Sequence, residues 1–224
     1  MLSSVSEIYE CNGENQKSRD ILFIAYDRSP GSRKIVYRLG TLAIKIDDLQ
    51  EAMDCYEEFL SIAPKDPNQY ILKYKILKAE NAPFEEQIEA LVDFKKMEYV
   101  EKWAYELAKL YEAAGMLPEC LGECDDLILW FSEGKYVLKA MELKMKHKPL
   151  TPLQQEKYDR FVEKKEEVKK EKENLETTRN IELPKETVEA SEVQEETTEE
   201  SVEEVVEEVA EEPVEEVIEE VAEE

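Results

Sequence analysis

Gly13, Asp47, Asn81, Gly115 and Pro149 stand 34 residues apart in turn. Each is of a type that punctuates helices or opens turns. A break on a fixed period restricts the chain to units of one size set side by side. Between the breaks, apolar residues recur at helical spacing. Ile35, Val36, Leu39, Leu42, Ala43 and Ile46 form one stripe before Asp47, and Leu49, Met53, Tyr56, Phe59 and Leu60 form another after it. No single unit buries that seam by itself; stacked neighbours cover it, so about three units are the minimum for stability.

The second unit carries a motif as well as a length. Val36, Leu39, Gly40 and Ala43, then Ala52, Tyr56 and Pro64, follow the pattern W-x2-L-G-x2-Y, A-x3-F, P, with Val36 and Ala43 in place of the first aromatic and the tyrosine. This resembles the tetratricopeptide repeat family. Leu107, Ala108, Tyr111, Gly115, Cys120 and Cys124 make the fourth unit similar, and Tyr9, Gly13, Ser18, Leu22, Ala25 and Pro30 the first. In the third, Tyr74 and Glu86 stand where small residues belong, so that unit is either slipped by one residue or degenerate. A fifth, from about Lys135, keeps Tyr158 and Phe161 but lacks the small residues, as an end unit does. The resemblance covers roughly residues 1–170. It implies an all-α, right-handed α-solenoid of about five helix-turn-helix units, in which Gly40 and Ala52 face each other and let two helices approach to about 8–10 Å.

Charge divides the chain. The whole carries 55 acidic and 29 basic residues, net −26; from Glu173 onward there are 22 acidic and 2 basic, leaving 33 and 27 in the remainder. The last fifty-odd residues have no aromatic residue, cysteine or glycine. Such a composition cannot bury enough apolar area to offset its conformational entropy. The expected organisation is a repeat domain at 1–172 and a disordered Glu/Val-rich tail at 173–224.

Local signals add detail. Thr151, Pro152 and Gln154 read as an N-cap, a first helical residue and a capping-box partner. The helix they start runs through Tyr158, Phe161, Val162 and Val168 and frays near Thr177 and Thr178. Pro83 fits the first position of a helix, where its missing N–H costs nothing. Leu2 to Val5 lead straight into polar residues, without the basic and apolar regions of a targeting signal. No apolar run reaches the ~18 residues of a membrane span. Cys120 and Cys124, one helical turn apart, suit packing rather than a zinc shell, which two sulfurs without a histidine do not complete. The four cysteines Cys11, Cys55, Cys120 and Cys124 are expected to be reduced, in the cytoplasm.

Little chemistry is on offer. His147, the single histidine, stands among lysines at a helix end, where a cation suits the helix dipole. There is no phosphate-binding glycine loop, nucleophile elbow or H-E-x-x-H. No enzyme, metal site or cofactor is expected. Asp125 and Asp126 are expected to point into solvent.

Binding has more support. In tetratricopeptide proteins the first helix of each unit lines the concave groove and the second forms the outer surface. By that resemblance the groove places hold Lys34, Tyr37, Thr41 and Lys45, then Asn68, Ile71, Lys75 and Lys78. Lys102, Tyr105, Lys109 and Glu112 follow, then Tyr136, Lys139, Leu143 and Lys146. Eight lysines stand against one glutamate. The second helices carry Asp47, Asp48, Glu51, Asp54, Glu57 and Glu58, then Glu85, Glu86, Glu89 and Asp93, then Glu119, Glu123, Asp125 and Asp126. A lysine wall concentrates an oppositely charged peptide. The expected function is a non-catalytic adaptor for an acidic or carboxylate-terminated protein segment. It resembles a looser version of the carboxylate clamp that some tetratricopeptide adaptors use; of the clamp's set places only Lys34, Tyr37, Thr41, Asn68 and Lys75 offer a partial match, short of the clamp itself. The alternative is that the lysines only solvate an exposed helix face.

Two further readings concern polyanions. In the tail, Val202, Val205, Val206 and Val209, and after Pro213 also Val214, Val217, Ile218 and Val221, recur at helical spacing amid glutamates. Their mutual repulsion opposes a free helix, so the tail is either a competitor for the groove in cis or a solubilising tether. Nucleic acid is the rival ligand, since phosphate attracts lysine too. Scarce arginine and a tail of net −20 speak against it.

Overall fold

A computed structural model describes residues 2–131 and 133–164 of the chain, and all regular structure among these is α-helical. The expected tail at 173–224, the domain boundary at 172 and the end of the last helix lie outside the described residues. Those described divide into two compact units, residues 2–30 and residues 31–164. In the first, α1 (Leu2–Cys11) and α2 (Asn15–Arg28) form a hairpin that buries Ser6, Ser18, Leu22 and Ala25. Here the Ser18 hydroxyl donates to Glu10 at 3.1 Å.

The second unit is four stacked hairpins. The first helices are α3 (Arg33–Lys45), α5 (Asn68–Ala79), α7 (Glu101–Ala113) and α9 (Lys135–Met145); the second are α4 (Leu49–Ile62), α6 (Phe84–Met97), α8 (Leu117–Trp130) and α10 (152–164).

The 34-residue period is written in the backbone. Gly13, Asp47, Asn81 and Gly115 all adopt left-handed φ values, of 72°, 62°, 54° and 75°. Glycine reaches that region without a steric cost, and Asn and Asp more readily than other residues. At each one the helix is capped by the same pair of bonds: Asp47 N–H to Ile44 O (3.1 Å) and Asp48 N–H to Ala43 O (2.9 Å), repeated from Gly13 and Glu14, Asn81 and Ala82, and Gly115 and Met116. This is the Schellman arrangement, which satisfies carbonyls at a helix end. Pro149 cannot join the series, because its ring holds φ negative. There α9 ends through Lys146 N–H to Leu143 O and Lys148 N–H to Lys144 O.

The third unit resolves into a local slip. Ala52, Cys55 and Phe59 are buried in α4, whereas the buried residues of α6 include Gln87, Ala90 and Phe94, each 35 places on. Glu86, at the 34-residue position, is exposed. The extra residue enters after Asn81, which is still in register. Pro83 is not the first helical residue; it is an extended N-cap with φ −52° and ψ 146°, and α6 begins one place later. Register is regained by Glu101, 68 residues after Arg33. Tyr74 therefore does occupy the place equivalent to Gly40. It is 2% exposed and lies edge-on to Trp103 of the next first helix, ring centroids 6.0 Å apart.

Where glycine is kept, contact is closest. A methyl group added at Gly40 would stand 3.2 Å from Cys55 Cβ and from both Leu72 methyl carbons, so the near neighbours are Cys55 and Leu72. The core continues through the unit in linked clusters. Ile71, Leu91, Phe94 and Leu107 join α5, α6 and α7, while Ala108, Cys120, Cys124, Leu127, Val137 and Met141 join α7, α8 and α9. Tyr158 and Phe161 of α10 close the latter cluster. The capping box at the start of α10 forms in both directions, Thr151 N–H to Gln154 Oε1 at 3.2 Å and Gln154 N–H to Thr151 Oγ1 at 3.4 Å.

Candidate functional site

The first helices form one layer, with α3 packed on α5 and α7 on α9, and α5 joined to α7 through Tyr74 and Trp103. On this layer lysine ammonium groups lie against aromatic rings at two stations. At the α3, α5 and α7 station, Lys75 Nζ is 5.5 Å from the centre of the Tyr37 ring and 5.8 Å from that of Trp103, and Lys102 Nζ approaches Trp103 to 5.2 Å. At the α7 and α9 station, Lys139 Nζ is 6.0 Å from Tyr105 and 5.6 Å from Tyr136, with Lys109 at 5.4 Å from Tyr105 and Lys135 at 5.9 Å from Tyr136. Tyr105 and Tyr136 meet at 5.9 Å. An ammonium group over a ring face gains about 0.5–1 kcal/mol where water still reaches it. The contact positions the cation but does not cancel its charge.

Of the groove residues expected from the sequence, the structure brings together Tyr37 with Lys75, and Tyr105, Lys109, Tyr136 and Lys139 with one another. Lys102 belongs to the first station but is only 5% exposed, and Tyr136 is 8% exposed, so both present little surface. Ile71 and Leu143 are buried core residues and do not line a groove. Thr41 donates its hydroxyl to Arg38 O of its own helix at 3.0 Å. Asn68 opens α5, its N–H held by Asp66 at 2.9 Å. Lys34 and Lys45 are exposed towards the two ends of α3. Lys78 is drawn to Glu106 at 3.6 Å, and Lys146 to Glu112 at 3.7 Å. His147 follows the end of α9, where its Nε2 is 2.8 Å from Glu112 Oε1.

Trp103, Tyr74, Lys135 and Glu106 were not singled out for the groove from the sequence. Trp103 occupies a place filled by Ile35, Gln69 and Val137 in sibling units, and that change in size was the available signal. Glu106 gave none. It accepts from the Tyr74 hydroxyl at 3.1 Å and from Lys109 at 2.6 Å. Burial opposes its charge, but the Lys109 hydrogen bond and the charges of Lys78 and Lys109 outweigh that and hold its carboxyl below the usual range.

The second helices are not a plain acidic back. Lys95 of α6 bonds to Glu123 at 2.6 Å and Asp126 at 3.2 Å on α8 and lies 4.9 Å from the Tyr99 ring. Glu123 is buried. Asp125, expected to face solvent, is half exposed and also pairs with Lys144, a cation 2% exposed, and accepts from Gln154 at 2.9 Å. Lys144 also donates to Gln154 at 3.0 Å, and Lys157 to Ile128 O at 3.2 Å, so α8, α9 and α10 are tied together. The pairing was not foreseen because a carboxylate on the outer helix lies within reach of the next unit's lysine, which linear spacing does not reveal.

Cys120 and Cys124 are fully buried and reduced; burial pushes both thiols up, and Cys55 up to about 12. Such thiols are poor nucleophiles. Among the described residues no group of three or more His, Cys, Asp or Glu could hold a metal ion, and no helix is long and apolar enough to cross a membrane.

No protein-family model and no curated protein matches the sequence. Solved structures do match. A tetratricopeptide repeat protein from Parabacteroides merdae aligns with 92% of this chain and 68% of its own at 12% identity, TM-score 0.57. The thermophilic repeat protein TTC0263 from Thermus thermophilus aligns with 65% and 80% at 12% identity, TM-score 0.54. Nearly identical tetratricopeptide-like repeats of a putative kinesin light chain from Podosopora anserina align with 80% and 92% at 17% identity, TM-score 0.50. The chain has the tetratricopeptide-repeat fold.

Proposed function

We propose that the chain is a non-catalytic scaffold whose layer of first helices binds an acidic or carboxylate-terminated segment of a protein partner, in the cytoplasm. The observation that carries this is the pair of lysine–aromatic stations on one wall. An ammonium group steadied by rings offers hydrogen bonds to a carboxylate where no ion pair takes them, and the tyrosines and Trp103 give a partner's side chains flat apolar area. Lys139, which makes no ion pair among the described residues, is the clearest case. Charge reversal tests the idea. Since Lys109 is engaged by Glu106, the substitutions are Lys75→Glu with Lys139→Glu. In a displacement assay with fluorescent acidic peptides the double variant should bind at least about tenfold more weakly. Unchanged affinity would remove the proposal, and an equal loss for a short RNA in a salt-titrated gel shift would transfer the wall to phosphate.

The sequence of residues 173–224 supports a second role, as an intramolecular competitor of net −20 for the same wall. Truncation after Lys172 should then raise affinity for acidic peptides, and the gain should shrink as salt rises. No gain at low salt would leave the tail a tether.

A further inference from the structure

Between the two stations the wall carries a carboxylate of its own. The Glu106 side chain is about one-fifth exposed; its Oε1 lies 2.6 Å from Lys109 Nζ, and its Oε2 lies 3.1 Å from the Tyr74 hydroxyl and 3.6 Å from Lys78 Nζ. It joins α5 to α7 and occupies two ammonium groups that an incoming anion would otherwise meet. Lysines on its own helix and on α5 keep it ionised, so it also repels a second carboxylate brought to the same place. Either side of it differs. Lys102 against Trp103 and Lys139 against Tyr105 and Tyr136 have rings, and no carboxylate, as partners among the described residues.

Resting on the reading of this wall as an anion-binding surface, we propose that Glu106 is a specificity-determining residue: it divides the wall into two anion stations and selects an extended peptide whose acidic residues flank a neutral spacer over one whose acidic run is unbroken. The spacing follows from the fold. Adjacent packed helices are about 8–10 Å apart and an extended peptide rises about 3.3 Å per residue, so the acidic positions fall about three residues apart. Rejection by a placed like charge is a common source of specificity, because it penalises the wrong ligand without contributing to the right one.

The test uses the full chain and two fluorescein-labelled peptides of equal length and charge, one with two Glu-Glu pairs separated by two alanines, the other with four consecutive glutamates. Any competition by the tail bears on both peptides alike, since they match in length and charge. Anisotropy titration at low salt should show the gapped peptide bound about fivefold more tightly. Glu106→Gln, which keeps the shape and can still accept from Tyr74, should strengthen the unbroken peptide about fivefold and move the gapped one less than twofold. Wild-type protein that binds both peptides alike, or a variant that strengthens both alike, overturns the inference while leaving an acid-binding wall. If neither peptide binds wild type or variant, the anion-binding reading falls and the inference with it. The wild-type comparison alone decides should the variant fail to fold.

Discussion

Lysines on the first-helix layer and lysines at the seams of the second-helix layer have the same chemistry and opposite surroundings. Lys75, Lys102 and Lys139 lie against rings. Lys95 and Lys144 are hydrogen-bonded to carboxylates of the neighbouring unit. Lys139, with ring contacts and no ion pair among the described residues, keeps its charge for whatever arrives from outside. An ion pair with one member buried, Glu123 in one and Lys144 in the other, is consumed internally: it fixes how one hairpin sits on the next, and its loss exposes an uncompensated charge rather than a vacant site. On the proposed reading, binding depends on which lysines the stack leaves to aromatic neighbours.

The sharpest way to break this contrast is to delete one lysine of each kind. Lys95→Ala strips the partner from Glu123, 6% exposed, and should cost about 3 kcal/mol, near the low end for a broken buried pair because Lys95 itself is partly solvated. Lys139→Ala should cost less than about 1 kcal/mol. Urea denaturation of both variants checks the difference, and equal losses would erase it.

Glu106 brings a paired carboxylate into the lysine wall, so its links should behave like those of the outer seams. Tyr74→Phe removes one hydrogen bond from a carboxylate that keeps two lysines, and should lower stability by about 1 kcal/mol. A smaller effect is expected from pH. The folded Glu106 carboxyl lies below its unfolded value. Its contribution is therefore complete above the ordinary glutamate range near pH 4.5 and is lost as pH falls through the folded pKa. Asp125, held down by Lys144 and Gln154 against its own partial burial, acts in the same direction. Melting temperatures from pH 7 to pH 3 should fall less steeply in Glu106→Gln than in wild type. For Lys95 burial disfavours the charge, but Glu123 and Asp126 prevail and raise its pKa. Its contribution is present below the ordinary lysine value and is lost as pH rises through the folded one, so Lys95→Ala should flatten the alkaline limb instead.

Much of this could be read before folding. The turn residues told the truth because left-handed backbone is a local preference, decided by Gly13, Asp47, Asn81 and Gly115 themselves. Thr151 and Gln154 were legible for the same reason, since a capping box is closed within four residues. The third unit was only half legible. Tyr74 and Glu86 announced a departure from pattern, but whether the chain had slipped or decayed depended on how Ala82 and Pro83 led into α6.

The site was less accessible than the scaffold. Projecting the repeat placed Lys75, Tyr105, Lys109 and Lys139 on the first-helix layer, where they lie, yet it also put Ile71 and Leu143 in the groove, which the core absorbs. It also could not tell Lys102 from its more exposed siblings. Sequence alone determined the period, the helices, the turn conformations and the layer to which most lysines belong, all of which arise within one hairpin. Only the stacked structure decided that Lys75 meets Trp103, that Glu106 reaches Tyr74 and Lys78, and that Asp125 holds Lys144. Those partners lie 19 to 32 residues apart, and the distance between them is set by how bulky side chains seat one hairpin on the next, a quantity no local preference encodes.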